Sequence, residues 1–149
     1  MSAYLETLYS DLRSLICRAW PDVATDGVYE VDHLDMLPVE ELAPPYAVIA
    51  LSNMTQDTEL SSLDSLSYLP VLDIYCIEAV SGPRSPIRQK LETLRDALWT
   101  QPLPTCGLVS QIPSLDWSTD IEMNGMLAAK GLPYRAGRLQ VSILIGEVF

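Results

Sequence analysis

The side chains able to do chemistry are few and scattered. His33 is the single histidine, and it sits in an acidic segment bounded by prolines. Nucleophilic catalysis needs a base beside a serine or cysteine, and no G-x-S-x-G turn occurs to present one. Cys17, Cys76 and Cys106 are far apart, form no C-x-x-C pair and lie mostly in apolar segments, so they read as small buried hydrophobes. A zinc site has almost no ligands to draw on. Carboxylate pairs exist at Glu40-Glu41 and at Asp116 with Asp120, but a chain with 20 acidic residues offers such pairs by abundance. The glycines, among them Gly82, Gly107, Gly125, Gly131 and Gly137, stand in turn contexts and build neither of the glycine-rich loops that cradle phosphates. Arg135 and Arg138 suit a phosphate or a carboxylate, yet they flank a strand start, where ion pairs are the ordinary use. The expectation is a protein that is not an enzyme, with no catalytic set, no cofactor and no metal.

What the sequence concentrates is negative charge, with a formal net charge of −11 and a pI near 4.2. The charge is unevenly placed. Between Arg18 and Arg84 there is no Lys or Arg, and that interval holds Asp35, Glu40, Glu41, Asp57, Glu59 and Asp64 among its acids, which are the candidates for an acidic face. The basic residues gather in Arg84, Arg88, Lys90 and Arg95, then in Lys130, Arg135 and Arg138. Such a chain repels free nucleic acid, since duplex DNA carries about one negative charge per 1.7 Å. An acidic side and a more basic side follow from the placement, and a solvated acidic face that aids solubility is its simplest use.

These residues need elements to hold them. Val71 to Glu78 is a β-rich apolar run interrupted only by Asp73 before the closing Glu78, a strand buried on at least one face. Ser81-Gly82-Pro83 stops it, Ser85 serves as an N-cap with Pro86 at the first helical position, and Ile87, Leu91, Leu94 and Leu98 form one apolar helical stripe ended by Pro102 and Pro104. Burying those four side chains is worth about 1.5 to 3 kcal/mol each, which places the helix on the sheet. Upstream, Ser2 caps a first helix from Ala3 to Arg18. A short edge strand at Val28 to Val31 and a strand at Tyr46 to Leu51 follow. Ser52 to Tyr68 is a polar connection of about 17 residues, long enough to read as a binding arm, and its Leu60, Leu63, Leu66 and Leu69 recur every three residues as if part of it packs on this chain or a neighbour.

Downstream, Gly107 to Ile112 is a strand candidate, Trp117 belongs to the core or an interface, and Thr119 with Glu122 makes a capping-box match before a short helix ending near Gly131. Leu139, Val141, Ile143 and Ile145 alternate with mostly polar residues in the last strand. The fold class is α+β, a single domain over 1–149 with one twisted sheet of four to five strands and two long helices packed on one face. No run approaches the roughly 20 apolar residues that span a bilayer, and the N-terminus lacks a signal-peptide pattern, so a soluble protein kept inside its cell is expected.

The segment Met123-Asn124-Gly125-Met126-Leu127-Ala128-Ala129-Lys130-Gly131-Leu132-Pro133-Tyr134-Arg135-Ala136-Gly137-Arg138 leads into the final strand, which ends at Gly146-Glu147. Together with a first amphipathic helix, the strand Pro45-Tyr46-Ala47-Val48-Ile49-Ala50-Leu51 and a second strand running into a Pro-initiated helix, the chain resembles the tail terminator, or tail completion, proteins of tailed bacteriophages. The resemblance covers most of the chain in element order. It implies a structural virion protein of the neck, made in the host cytoplasm, that assembles as a homohexameric ring on the tail tube, ends tube polymerisation and presents the joining surface for the head-tail connector or stopper. The resemblance further implies that DNA passes through the ring's lumen without specific binding and that no membrane is involved. Arg84, Arg88 and Arg95 with Leu60, Leu63 and Leu66 are then candidates for the ring interface, and the acids named above for the lumen. The alternatives are another connector or stopper of the neck and an acidic protein that mimics DNA to inhibit a nucleic-acid-binding partner.

Overall fold

The computed structural model describes residues 2–57, 65–80, 86–100, 108–109 and 112–148. Helix α1 spans Ser2–Ala19 and is followed by strand β1, Val28–Val31. Strands β2, Tyr46–Asp57, and β3, Ser65–Ala79, precede helix α2, Ile87–Thr100. The short strands β4, Leu108–Val109, and β5, Ser114–Asp116, lead to helix α3, Glu122–Ala129, and the final strand β6, Tyr134–Val148. The fold is α+β. One mixed sheet runs in the order β1-β2-β3-β6-β4, with β5 also paired to β6. Among the described residues β1 and β2 run parallel and every other pair is antiparallel.

Two cores cover the two faces of this sheet. On the first, Leu8, Leu12, Leu15 and Ile16 of α1 and Ile87, Leu91, Leu94 and Leu98 of α2 pack on Ala47, Ile49, Leu72, Ile74, Leu139 and Val141. Both long helices therefore lie on one face, and the apolar stripe read from α2 is buried in full. The second core joins Tyr46, Val48, Tyr75, Ile77 and Ala136 of the sheet to Met123 and Leu127 of α3 and to Leu34, Leu37 and Val39. The last three come from the acidic stretch that looks irregular in sequence. Its single-turn 3-10 helices, Leu34–Met36 and Val39–Glu41, turn the apolar residues inward and leave Asp35, Glu40 and Glu41 in water.

Three expectations change. The polar stretch from Ser52 to Tyr68 is not one long connection, because β2 continues to Asp57 and β3 begins at Ser65, with Asp57 opposite Ser67. Here β3 is paired on both sides, by β2 and by β6 out to Val148, and the ladder's hydrogen bonds hold polar residues in strand conformation. Leu66 and Leu69 are thus strand residues opposite Glu147 and Thr55, while Leu60 and Leu63 lie outside the described residues. The capping box does not form, since Ile121 is the N-cap of α3 and makes no side-chain bond. At the other end, Gly131 adopts φ 68°, as a helix-terminating glycine does, and Leu132 N donates to Leu127 O at 3.1 Å. Finally, β5 lies just beyond Pro113, where the sequence suggests no strand, and Trp117 is 41% exposed, which removes it from the core.

Helix α2 lies closely on β6 at Gly137. A Cβ there would overlap Ile87 Cγ2 and stand 2.8 Å from Leu91 Cδ1. Gly137→Ala should therefore lower stability by about 1 to 3 kcal/mol, the usual cost of overpacking. Urea denaturation followed by circular dichroism reads this directly, and an unchanged midpoint would show that α2 slides without cost.

Candidate assembly surfaces

The described acidic candidates stand apart from the basic ones. Asp35, Glu40 and Glu41 are exposed over the second core, with Glu40 3.7 Å from Lys130 Nζ across an open ion pair. Asp57 ends β2; Glu59, Asp64 and Arg84 lie outside the described residues. Arg88 and Arg95 sit two turns apart on α2, about 10 Å along its axis. Each has a local partner, Arg88 Nε to Glu92 Oε1 and Arg95 Nε to Asp96 Oδ1, both at 3.1 Å. These are exposed pairs of the kind that contributes little to stability.

The basic edge is richer than the sequence suggests. Trp117 follows β5, the Arg88 guanidinium lies 5.3 Å from its ring centroid, and Arg135 Nη2 donates to its carbonyl at 3.2 Å. Arg138 reaches Asp116 at 3.5 Å, and Ser118 N donates to Asp116 Oδ1 at 2.9 Å, a bond that holds the carboxyl below its ordinary range. Arg135 and Arg138 thus serve local structure, as expected from their place at a strand start. Arg138, two positions on from Ala136, belongs to the other face beside Asp116 and Tyr75, while Arg88 and Arg135 together make a cationic patch around an exposed indole. Spacing alone could not reveal it, since Arg88 and Arg135 are brought together only by α2 crossing to the edge held by β5 and β6.

Two buried polar devices also escape the sequence. Asn124 of α3 donates from Nδ2 to Ala136 O at 2.9 Å and to Ser118 O at 2.8 Å, and its Oδ1 accepts from Ala136 N at 2.8 Å. Its amide takes the place of a neighbouring strand residue beside β6, just where β5 has ended. The second is Lys90, whose Nζ bonds Asp22 Oδ2 at 2.6 Å and also Glu78 Oε1, while its backbone carbonyl accepts from Trp20 Nε1 at 2.8 Å. Burial pulls the Lys90 ammonium down, but the bonds to Asp22 and Glu78 outweigh it and leave it raised. This knot ties the end of α1, the end of β3 and α2 together.

A concave, polar region of about 420 Å3 on the second face is lined by Asp32, His33, Asp35, Asp73, Tyr75 and Glu122, among others. Burial raises the Asp73 carboxyl, and the bond from Gln140 Nε2 at 2.9 Å offsets part of that rise. His33 is exposed. Burial likewise pushes the Cys76 thiol up, so no reactive thiolate forms there. Among the described residues no group of three His, Cys, Asp or Glu side chains is arranged to hold a metal ion, and no helix is long and apolar enough to cross a membrane. The sequence matches no family model and no curated protein.

Lys90 provides the test of this geometry. Lys90→Met would strand Glu78, whose side chain is 12% exposed, without its cation, at a cost of about 3 to 5 kcal/mol. Adding Glu78→Leu should recover most of the loss in denaturant midpoint; failure of the double variant to recover would mean that Lys90 acts through packing alone.

Proposed function

We propose that this chain is a structural protein of the bacteriophage neck, a tail terminator that closes into a hexameric ring on the tail tube, stops its growth and presents the docking surface for the head connector. The observation that carries the reading is the separation of charge between the two edges of one sheet. Acids gather beside β1, and the arginine patch stands beside β5, the edge farthest from it. A subunit with unlike edges joins its copies head to tail, and such contacts generate rings when the rotation closes.

Two further features support it. The element order, a leading amphipathic helix, a strand pair, a Pro-flanked helix and a long terminal strand, is the one on which the resemblance to tail terminators rests. Beyond the first core, β2, β3 and β6 run on together as a three-stranded ladder from the level of Leu72 to Ser65 and Val148. In this reading that ladder is the arm that reaches a neighbouring subunit or the tube. The exposed acids Asp35, Glu40 and Glu41 front the lumen, where like charge removes the counterion-release gain that would make DNA adhere.

Tails assembled in the absence of this chain test the proposal. Their tubes should run to uncontrolled length and fail to join heads, and supplying the chain should restore one length. Tubes of uniform length without it would overturn the terminator role.

A further inference from the structure

The edge that carries Trp117 and the edge that carries β1 are complementary in charge, the first presenting an exposed indole and the second a groove, and both lie on the side of the long helices. At the β1 edge a groove of about 350 Å3 runs between α1 and the strand, lined by Glu6, Tyr9, Glu30, Val31, Asp32 and Met36. Met36 is 69% exposed, an unusual placement for a large apolar side chain. Arg13 pairs with Glu30 at 3.0 Å, so Glu6 and Asp32 set the net charge of the groove lining. Burial, then Asp32, Glu30 and Glu6, pushes the Tyr9 hydroxyl up to about 12, in keeping with a negative potential there. At the other edge the Arg88 side chain is 67% exposed, paired with Glu92 and stacked on Trp117.

We propose that Trp117 of one copy of this chain seats in the Met36 groove of the next copy, with Arg88 and Arg135 facing Glu6 and Asp32. The occupant is a second copy because this chain supplies both halves of a charge-complementary contact on edges of one sheet that cannot reach each other within a molecule. An indole suits the groove: its ring meets the Met36 thioether and the bodies of Tyr9 and Val31, and its N–H points a donor at carboxylates. The two cations bring the steering that head-to-tail recognition needs. The contact rests on the ring reading only for closure at a fixed number of subunits. It also narrows the basic side of that reading to Arg88 and Arg135, leaving Arg95 outside the contact.

Charge reversal tests it, because both patches are exposed and their variants should fold. One full-length variant carries Glu6→Arg and Asp32→Arg, the other Arg88→Glu and Arg135→Glu. Sedimentation velocity at the highest soluble concentration should show assembly for the wild type, monomer for each variant alone, and regained assembly for their equimolar mixture, since copies with two basic edges alternate with copies having two acidic ones. Trp117→Ala, with an unchanged melting curve, should weaken assembly at least tenfold. A monomeric wild type, or closed rings indifferent to all these changes, would overturn the contact; the second result would leave the ring reading standing. Open filaments that obey the same charge rules would support the contact and sink the ring.

Discussion

Everything in this fold depends on how closely β6 can be approached from both sides. Ala136 and Gly137 are adjacent in the strand, so the pleat turns one toward each face. Ala136 belongs to the core under α3, and Gly137 lies beneath Ile87 and Leu91 of α2. Two small residues in succession let a helix close on each face of the same strand. With larger ones α2 would be lifted, and with it the Lys90 knot that binds Trp20, Asp22 and Glu78. Asn124 completes the arrangement by bonding both backbone groups of Ala136, which removes an exposed stretch of strand edge.

From that crossing the candidate surfaces follow. Because α2 sits over Gly137, Arg88 at its start overhangs the edge where Trp117 emerges from β5, and the cationic patch forms there. Because α1 lies on the same face toward β1, its Glu6 and Tyr9 wall the acidic groove at the other edge. The helix layer thus delivers opposite chemistry to opposite edges of one sheet. A net charge of −11 would make copies of this chain repel one another if it were spread evenly. Placing Arg88 and Arg135 together at one edge gives such a chain a directed way to associate with itself.

The parts of the fold carried by simple periodicity were legible in the sequence. The stripe of Ile87, Leu91, Leu94 and Leu98, the alternation of Leu139, Val141 and Ile143, and the edge strand at Val28–Val31 all stand where spacing puts them. What escaped depends on partners distant in sequence. The polar residues after Leu51 belong to a strand because β3 is there to pair with them, and no local propensity announces that. Leu34, Leu37 and Val39 look like stray apolar residues among acids until the second face of the sheet is seen to need a cover. Asn124 reads as an ordinary helix residue, although its amide bonds both backbone groups of Ala136 beneath α3. The surface patches were half legible: segregation of charge was plain, but the convergence of Arg88, Trp117 and Arg135 was not, because each lies on a different segment.

The central claim is that this chain is a ring at the end of a phage tail, and the most direct measurement is to locate it in the particle. The chain, carrying a label visible by electron microscopy, should give sixfold density at the head-proximal end of the tail tube. Particles that contain no such density, from preparations in which the labelled chain stays in the soluble fraction, would contradict the account and turn attention to a soluble acidic inhibitor.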